Sequence, residues 1–120
     1  MIWASHDDQP FPTEVTTSGA TVVRASGRLN FPGVERLRKQ FATLVENGTV
    51  RMAVDLSGVE AIDSAGVGVL ISGLKAVRSA GGDLRLVAPS TVVVDVLEMM
   101  NLDRLLTMHD SPEEAFPNAQ

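Results

Sequence analysis

The chain predicts an α/β fold: one domain with a mostly parallel sheet, crossover helices and an antiparallel hairpin strand at its N-terminal edge. Three observations predict it. Short β-branched runs alternate with longer stretches whose apolar residues recur at helical spacing. The run from Val50 to Leu56 is almost wholly apolar and bounded by Gly48 and Ser57-Gly58, the pattern of a central strand buried on both faces. At 120 residues the chain suits a single domain able to bury roughly two thirds of its unfolded surface without staples.

The elements follow in order. Residues 1–12 end in Gln9-Pro10-Phe11-Pro12 and predict a flexible N-terminal arm; Trp3 could pack on the domain or serve a dimer contact. The domain proper is expected over 13–117, with a tail at 118–120. Glu14–Thr17 and Ala20–Ala25 are β-rich runs joined by a Ser18-Gly19 turn, with Ser26-Gly27 stopping the second. Asn30 is a plausible N-cap for the first helix, and Pro32 suits its first turn. Val34, Leu37, Phe41, Leu44 and Val45 then share one helical face, and Asn47-Gly48 ends the helix. After the central strand a polar loop runs to Ile62, and a second helix spans about Ser64 to Ala80 with Val67, Leu70, Ile71, Leu74 and Val77 inward. Gly66, Gly68 and Gly73 each cost that helix about 1 kcal/mol relative to alanine, which implies close backbone approach to the sheet or to a partner. Leu84–Ala88 is a strand closed by Pro89. Ser90 caps a helix with Val93, Val96, Leu97 and Met100 on one face, and Met99-Met100 reads as core or as a partner-facing apolar edge, with core the favoured reading. Leu105–Met108 is a last strand, and Ser111-Pro112-Glu113-Glu114 starts a short final helix.

Composition removes several function classes. Cysteine is absent, so disulfides and thiolate metal sites are excluded, as in proteins of a reducing compartment. His6 and His109 are the only imidazoles and lie far apart, so no metal site and no cofactor is expected. A net charge of −5 argues against nucleic-acid binding and fits partners that are other proteins or cations. The N-terminus lacks the charged and apolar regions of a signal peptide, and no window approaches ~18 uninterrupted apolar residues. A cytoplasmic protein with no membrane span is expected.

The stretch Val54-Asp55-Leu56-Ser57-Gly58-Val59-Glu60-Ala61-Ile62-Asp63-Ser64-Ala65-Gly66-Val67-Gly68 organises the rest. It starts as a strand and enters a helix at Asp63-Ser64. A helix N-terminus leaves amides unpaired and carries the positive end of the dipole, a favourable place for a phosphate. Ser64 therefore reads either as a simple N-cap, which the local sequence alone favours, or as a regulatory phosphoacceptor. A hydrolase is not supported: Ile62-Asp63-Ser64-Ala65-Gly66 lacks the first glycine of a nucleophile elbow, and His109 is the only candidate base. Gly66-Val67-Gly68 lacks the lysine of a phosphate-binding loop. A receiver domain could place its aspartate at Asp55, but the acidic pair after the first strand and the lysine after the last are missing. The Glu113-Glu114 pair reads as a helix start.

From about Thr21 to Phe116 the chain resembles a STAS domain, specifically the bacterial anti-sigma factor antagonists. The resemblance rests on Val54 to Val59 followed by Ile62-Asp63-Ser64-Ala65-Gly66-Val67-Gly68-Val69-Leu70, with support from Gly27-Arg28-Leu29-Asn30, Gly81-Gly82-Asp83-Leu84 and Asn101-Leu102. It implies a STAS-type fold and a non-enzymatic function in transcription regulation and stress response. The protein would bind an anti-sigma factor with serine-kinase activity, free a sigma factor, and be switched off by phosphorylation at Ser64. A metal-dependent serine phosphatase would reset it. The implied partner-binding residues are Asn30, Asp63, Ser64, Ala65, Gly66, Val67 and Gly68; a homodimer is left open. Family members usually carry an acidic residue at the position of Asn30, often Glu at Arg28, and many have a second hydroxyl where this chain has Ala65. The alternative is a non-phosphorylated adaptor in a lipid-transport or signalling complex.

Overall fold

The computed structural model describes residues 10–31 and 33–117. The expectations for Trp3, His6, Pro32 and the 118–120 tail lie outside the described residues. The elements are β1 (Thr13–Val15), β2 (Thr21–Leu29), α1 (Val34–Glu46), β3 (Arg51–Ile62), α2 (Ser64–Ser79), β4 (Asp83–Val87), α3 (Thr91–Met99), β5 (Met108–His109) and α4 (Pro112–Ala115). They form one five-stranded sheet in the order β1-β2-β3-β4-β5, antiparallel between β1 and β2 and parallel elsewhere. The expected α/β class, chain order of elements and antiparallel N-terminal edge hold, with the hairpin turning at Gly19 (φ 89°).

The apolar stripes of α1, α2 and α3 pack on one sheet face. Leu37, Phe41, Leu70, Leu74, Val93 and Leu97 meet Val23, Val54, Leu56 and Leu86 there. Burying each such side chain is worth about 1.5–3 kcal/mol. The other face carries a smaller cluster, Ala20, Val22, Ala53 and Val87 under Ala115 of α4 and Phe116, which follows it. The Ser111 hydroxyl accepts from the Glu114 amide at 3.1 Å, so α4 starts as its sequence predicts. Phe11 is buried in the main core; its amide donates to the Gln40 side chain and its carbonyl accepts from it, both at 2.8 Å. Among the described residues, no helix is long and apolar enough to cross a membrane.

Several boundaries differ from expectation. Ser26-Gly27 does not stop β2. Gly27 adopts φ 80°, open to glycine without strain, and the strand resumes to Leu29. Its extension gives β3 a partner, so the expected loop from Ser57 to Ile62 is strand, paired from Ser26↔Gly58 to Leu29↔Ile62. The register shifts twice, between Arg24 and Ser26 and between Gly27 and Arg28, each time adding one residue on the β3 side. Asn30 is not the α1 N-cap. Gly33 takes that position, and Asn30 contributes its carbonyl to the Val34 amide at 3.0 Å. Ser90 sits at the N-cap of α3, but its hydroxyl donates to the Val59 carbonyl at 2.7 Å instead of capping. The last strand lies at Met108–His109 because Leu105 and Leu106 turn back onto the Leu102 carbonyl. Met99 and Met100 are 75% and 45% exposed, which corrects their assignment to the core.

Candidate functional site

The extended ends of β2 and β3 emerge side by side and build a tip from residues 29–31 and 62–66. Asp63 ties it together. Its amide donates to the Leu29 carbonyl at 3.2 Å, and its own carbonyl accepts from Val67 at 3.0 Å, closing the first turn of α2. Its carboxylate accepts from the Gly66 amide at 3.1 Å through Oδ1 and from the Phe31 amide at 3.3 Å through Oδ2. Asp63, not Ser64, is therefore the N-cap, with the extended backbone a cap requires. The Gly66 amide is the main cause holding the Asp63 carboxyl below the usual aspartate range. Desolvation opposes it, and the amides of Phe31, Ala65 and Asp63 itself add to the lowering.

With the cap supplied by its neighbour, Ser64 stands exposed at the first helical position. Its hydroxyl makes no hydrogen bond among the described residues. The structure brings Asn30, half-buried, to the same tip as Asp63, Ser64 and the half-buried Ala65. Gly68 lies one turn on from Ser64, exposed, and a Cβ there would meet nothing within 4 Å. Gly66 and Val67 face inward. Val67 is 1% exposed, and a Cβ on Gly66 would lie 2.2 Å from the Leu29 carbonyl oxygen. Those two residues can set the tip's shape but do not present side chains on it. Of the three glycines expected to allow close approach, Gly66 meets β2 and Gly73 meets the Phe41 ring of α1, while Gly68 meets nothing within 4 Å among the described residues.

The other chemical candidates find structural employment. Asp55 sits inside β3, 8% exposed, with Oδ2 on Arg24 at 2.8 Å and Oδ1 on the Ser57 amide and hydroxyl at 2.9 and 2.7 Å. Arg24 also pairs with Glu14, and that hydrogen bond first, then both carboxylates' charges, raises its pKa against desolvation. Asp55 thus joins β1, β2 and β3 on the sheet face away from the three helices. His109 lies on β5, two strands from β3, beside the Thr107 hydroxyl at 3.1 Å. Among the described residues, no group of three or more His, Cys, Asp or Glu side chains could hold a metal ion. Sequence reasoning passed over Phe31, 74% exposed at the tip. The available signal was an aromatic residue inside the turn-forming run Asn30-Phe31-Pro32-Gly33.

Comparison with known proteins supplies the context. The profile of the STAS domain family matches residues 12–115. A crystal structure from Thermotoga maritima, of a protein named as a candidate anti-sigma factor antagonist, is 31% identical, covers 93% of this chain and 96% of its own, and superposes with a TM-score of 0.82. An anti-sigma F factor antagonist of Lysinibacillus sphaericus is 29% identical, covering 87% of this chain and 88% of its own length. The anti-sigma factor antagonist SpoIIAA, solved in its unphosphorylated form, is 25% identical over 87% of this chain and 91% of its own, with a TM-score of 0.66.

Proposed function

The chain belongs to the STAS domain family, and from that premise we propose that it is a partner-switching anti-sigma factor antagonist. In its unmodified state the Asp63-Ser64 tip and the exposed side of α2 bind an anti-sigma factor with serine-kinase activity, which releases a sigma factor for transcription. The kinase then transfers the γ-phosphoryl of ATP to the Ser64 hydroxyl, and the complex separates. A metal-dependent serine phosphatase restores the hydroxyl. The chain itself catalyses nothing in this cycle.

The observation that carries the reading is the free Ser64 hydroxyl on a rigidly held tip. Because Asp63 caps the helix, modifying Ser64 removes no bond that the fold uses. Phosphorylation adds a charge of about −1.5 to −2 at neutral pH. The α2 dipole tolerates that charge. Asp63 and an acidic partner surface do not: at an effective dielectric near 20, unit charges ~5 Å apart repel by about 3 kcal/mol. That corresponds to roughly a hundredfold in affinity. One modification can therefore release a partner with no large refolding.

The test is intact mass and peptide mapping after incubation with ATP and the nearest kinase-type anti-sigma factor of the same genome. One phosphate on Ser64 is expected, and none on a Ser64→Ala variant that still binds. Ser64→Glu should fold normally and bind at least tenfold more weakly; equal affinities for the three proteins by calorimetry would sink the switch. Arg28, exposed, and Asn30 at the tip favour a second reading, a STAS adaptor that binds through the same helix and is never phosphorylated. Tight binding without phosphate transfer would select it.

A further inference from the structure

Phe31 is an expensive residue for the place it occupies. It is 74% exposed, the most exposed aromatic side chain among the described residues. Its ring packs into neither hydrophobic cluster. Single apolar residues on a surface are ordinary and call for no explanation. Phe31 differs because its backbone is fixed to the functional tip. Its amide donates to Asp63 Oδ2 at 3.3 Å, the residue before it gives its carbonyl to Val34 at 3.0 Å, and Leu29 before that accepts from the Asp63 amide at 3.2 Å. The loop is thus bonded on both sides to the ends of the two helices that flank the tip. One carboxylate, that of Asp63, links the Phe31 amide to the Gly66 amide beneath Ser64.

We propose that Phe31 is the apolar anchor of the surface that engages the anti-sigma factor, and that Asp63 is its positioning residue. The inference rests on the partner-switching function above and adds to it. The surface then has two chemically distinct halves. Ser64 and the open side of α2 form a small, polar half that accepts or rejects the partner according to charge. Phe31 forms the half that supplies affinity through burial. Interfaces commonly combine such parts, with an aromatic anchor filling a partner pocket beside a polar rim. The partner's matching feature is an apolar pocket next to its phosphate-transferring site, because the Asp63 carboxylate holds the Phe31 amide while Asp63 itself directly precedes Ser64 in the chain. Asp63 sets the spacing between the two halves, so its side chain matters to binding even where it touches nothing on the partner.

The experiment measures calorimetric affinity for the same kinase-type anti-sigma factor, loaded with a non-hydrolysable ATP analogue so that Ser64 stays unmodified. The proteins are wild type, Phe31→Ala, Asp63→Asn and the double variant. Asparagine keeps one oxygen for the Gly66 amide but presents an amide group to Phe31. Phe31→Ala should melt at the wild-type temperature, since its ring is solvent-facing, and bind at least tenfold more weakly. Asp63→Asn should speed hydrogen exchange at the Phe31 amide and also weaken binding. In the Phe31→Ala background Asp63→Asn should cost much less than in wild type, a non-additivity that a purely structural role would not produce. Wild-type binding with Phe31→Ala within twofold of it overturns the anchor and leaves the switch standing. Additive losses for the two variants overturn the positioning role. Failure of wild type to bind overturns the switch and this inference together.

Discussion

Gly66 and Gly68 stand two residues apart in α2 and have opposite surroundings. A Cβ on Gly66 would lie 2.2 Å from the Leu29 carbonyl oxygen and 2.8 Å from Ile62 Cγ1; one on Gly68 would meet nothing within 4 Å. Both cost the helix about 1 kcal/mol relative to alanine. At Gly66 the fold recovers that cost, because the close approach lets β2 run beside the start of α2 and lets Asp63 reach the Leu29 carbonyl. At Gly68 nothing within the described chain recovers it. The inner face of α2 is accounted for by packing inside this molecule. The outer face, Ser64 and Gly68 above all, has no such packing among the described residues and is the face that the proposed function gives to a partner.

The largest test of this contrast is Gly66→Ala. The nearest obstacle is backbone, which cannot swing aside as a side chain can. We expect a loss of about 3 kcal/mol or more in urea denaturation, at the upper end of overpacking costs. The strain falls on the Leu29 carbonyl, so the same variant should loosen the Asp63 amide in hydrogen exchange. Wild-type stability would mean that the two strand ends are not held together as described. Gly73 tempers the argument: its nearest neighbours are the Phe41 ring atoms at 2.6 and 2.9 Å and Leu84 Cδ1 at 3.1 Å, all side chain, so the inner face there has some room to adjust.

Gly68→Ala should go the other way. Relief of the glycine cost should stabilise the free protein by about 1 kcal/mol. The added methyl stands on the outward face, so affinity for the anti-sigma factor should fall about tenfold, equivalent to ~1.4 kcal/mol. A protein that is both more stable and a poorer binder is the signature of a residue kept for a partner. Gain in stability with unchanged affinity would place the partner elsewhere.

The contrast also shows what the amino-acid pattern could and could not reveal. The alternation of β-rich and helical runs was enough for the order of elements along the chain, the hairpin edge and the inward stripe of α1 and α2. These follow from local periodicity. The ends of β2 and β3 were not legible, because each is a strand only by virtue of the other. Ser57-Gly58 and Ser26-Gly27 read as stops when taken singly, yet the structure pairs Ser26 with Gly58 across a register shift. The cap was ambiguous for a similar reason. Asp63 and Ser64 are both good N-cap residues, and the choice depends on the bond from the Asp63 amide to Leu29, more than thirty positions earlier. Met99-Met100 looked like core because apolar composition does not distinguish the last turn of α3, where the helix leaves the sheet, from its middle.

Asp63 joins the two faces of this comparison, and it carries the smallest expected effect. Its carboxylate lies on the exposed tip, yet it holds the Gly66 amide of the inner face and the Phe31 amide of the outer loop. The Gly66 bond foremost lowers its folded-state pKa below the ordinary aspartate value, which is about 3.9 in the unfolded chain. A group with a depressed folded pKa contributes stability that is fully present above its unfolded value and is lost as pH falls through the folded one. Wild type should therefore exceed Asp63→Asn in stability at neutral pH, and the gap should close on acidification from about pH 4 downward. Measuring the difference between the two proteins cancels the titration of other carboxylates, including Asp83. Burial raises the Asp83 pKa, but the side chains of Arg85 and Arg78 lower it on balance. A gap that stays constant with pH would mean that the charge on Asp63 does not hold the tip. The Phe31 loop and the start of α2 would then be positioned by packing alone.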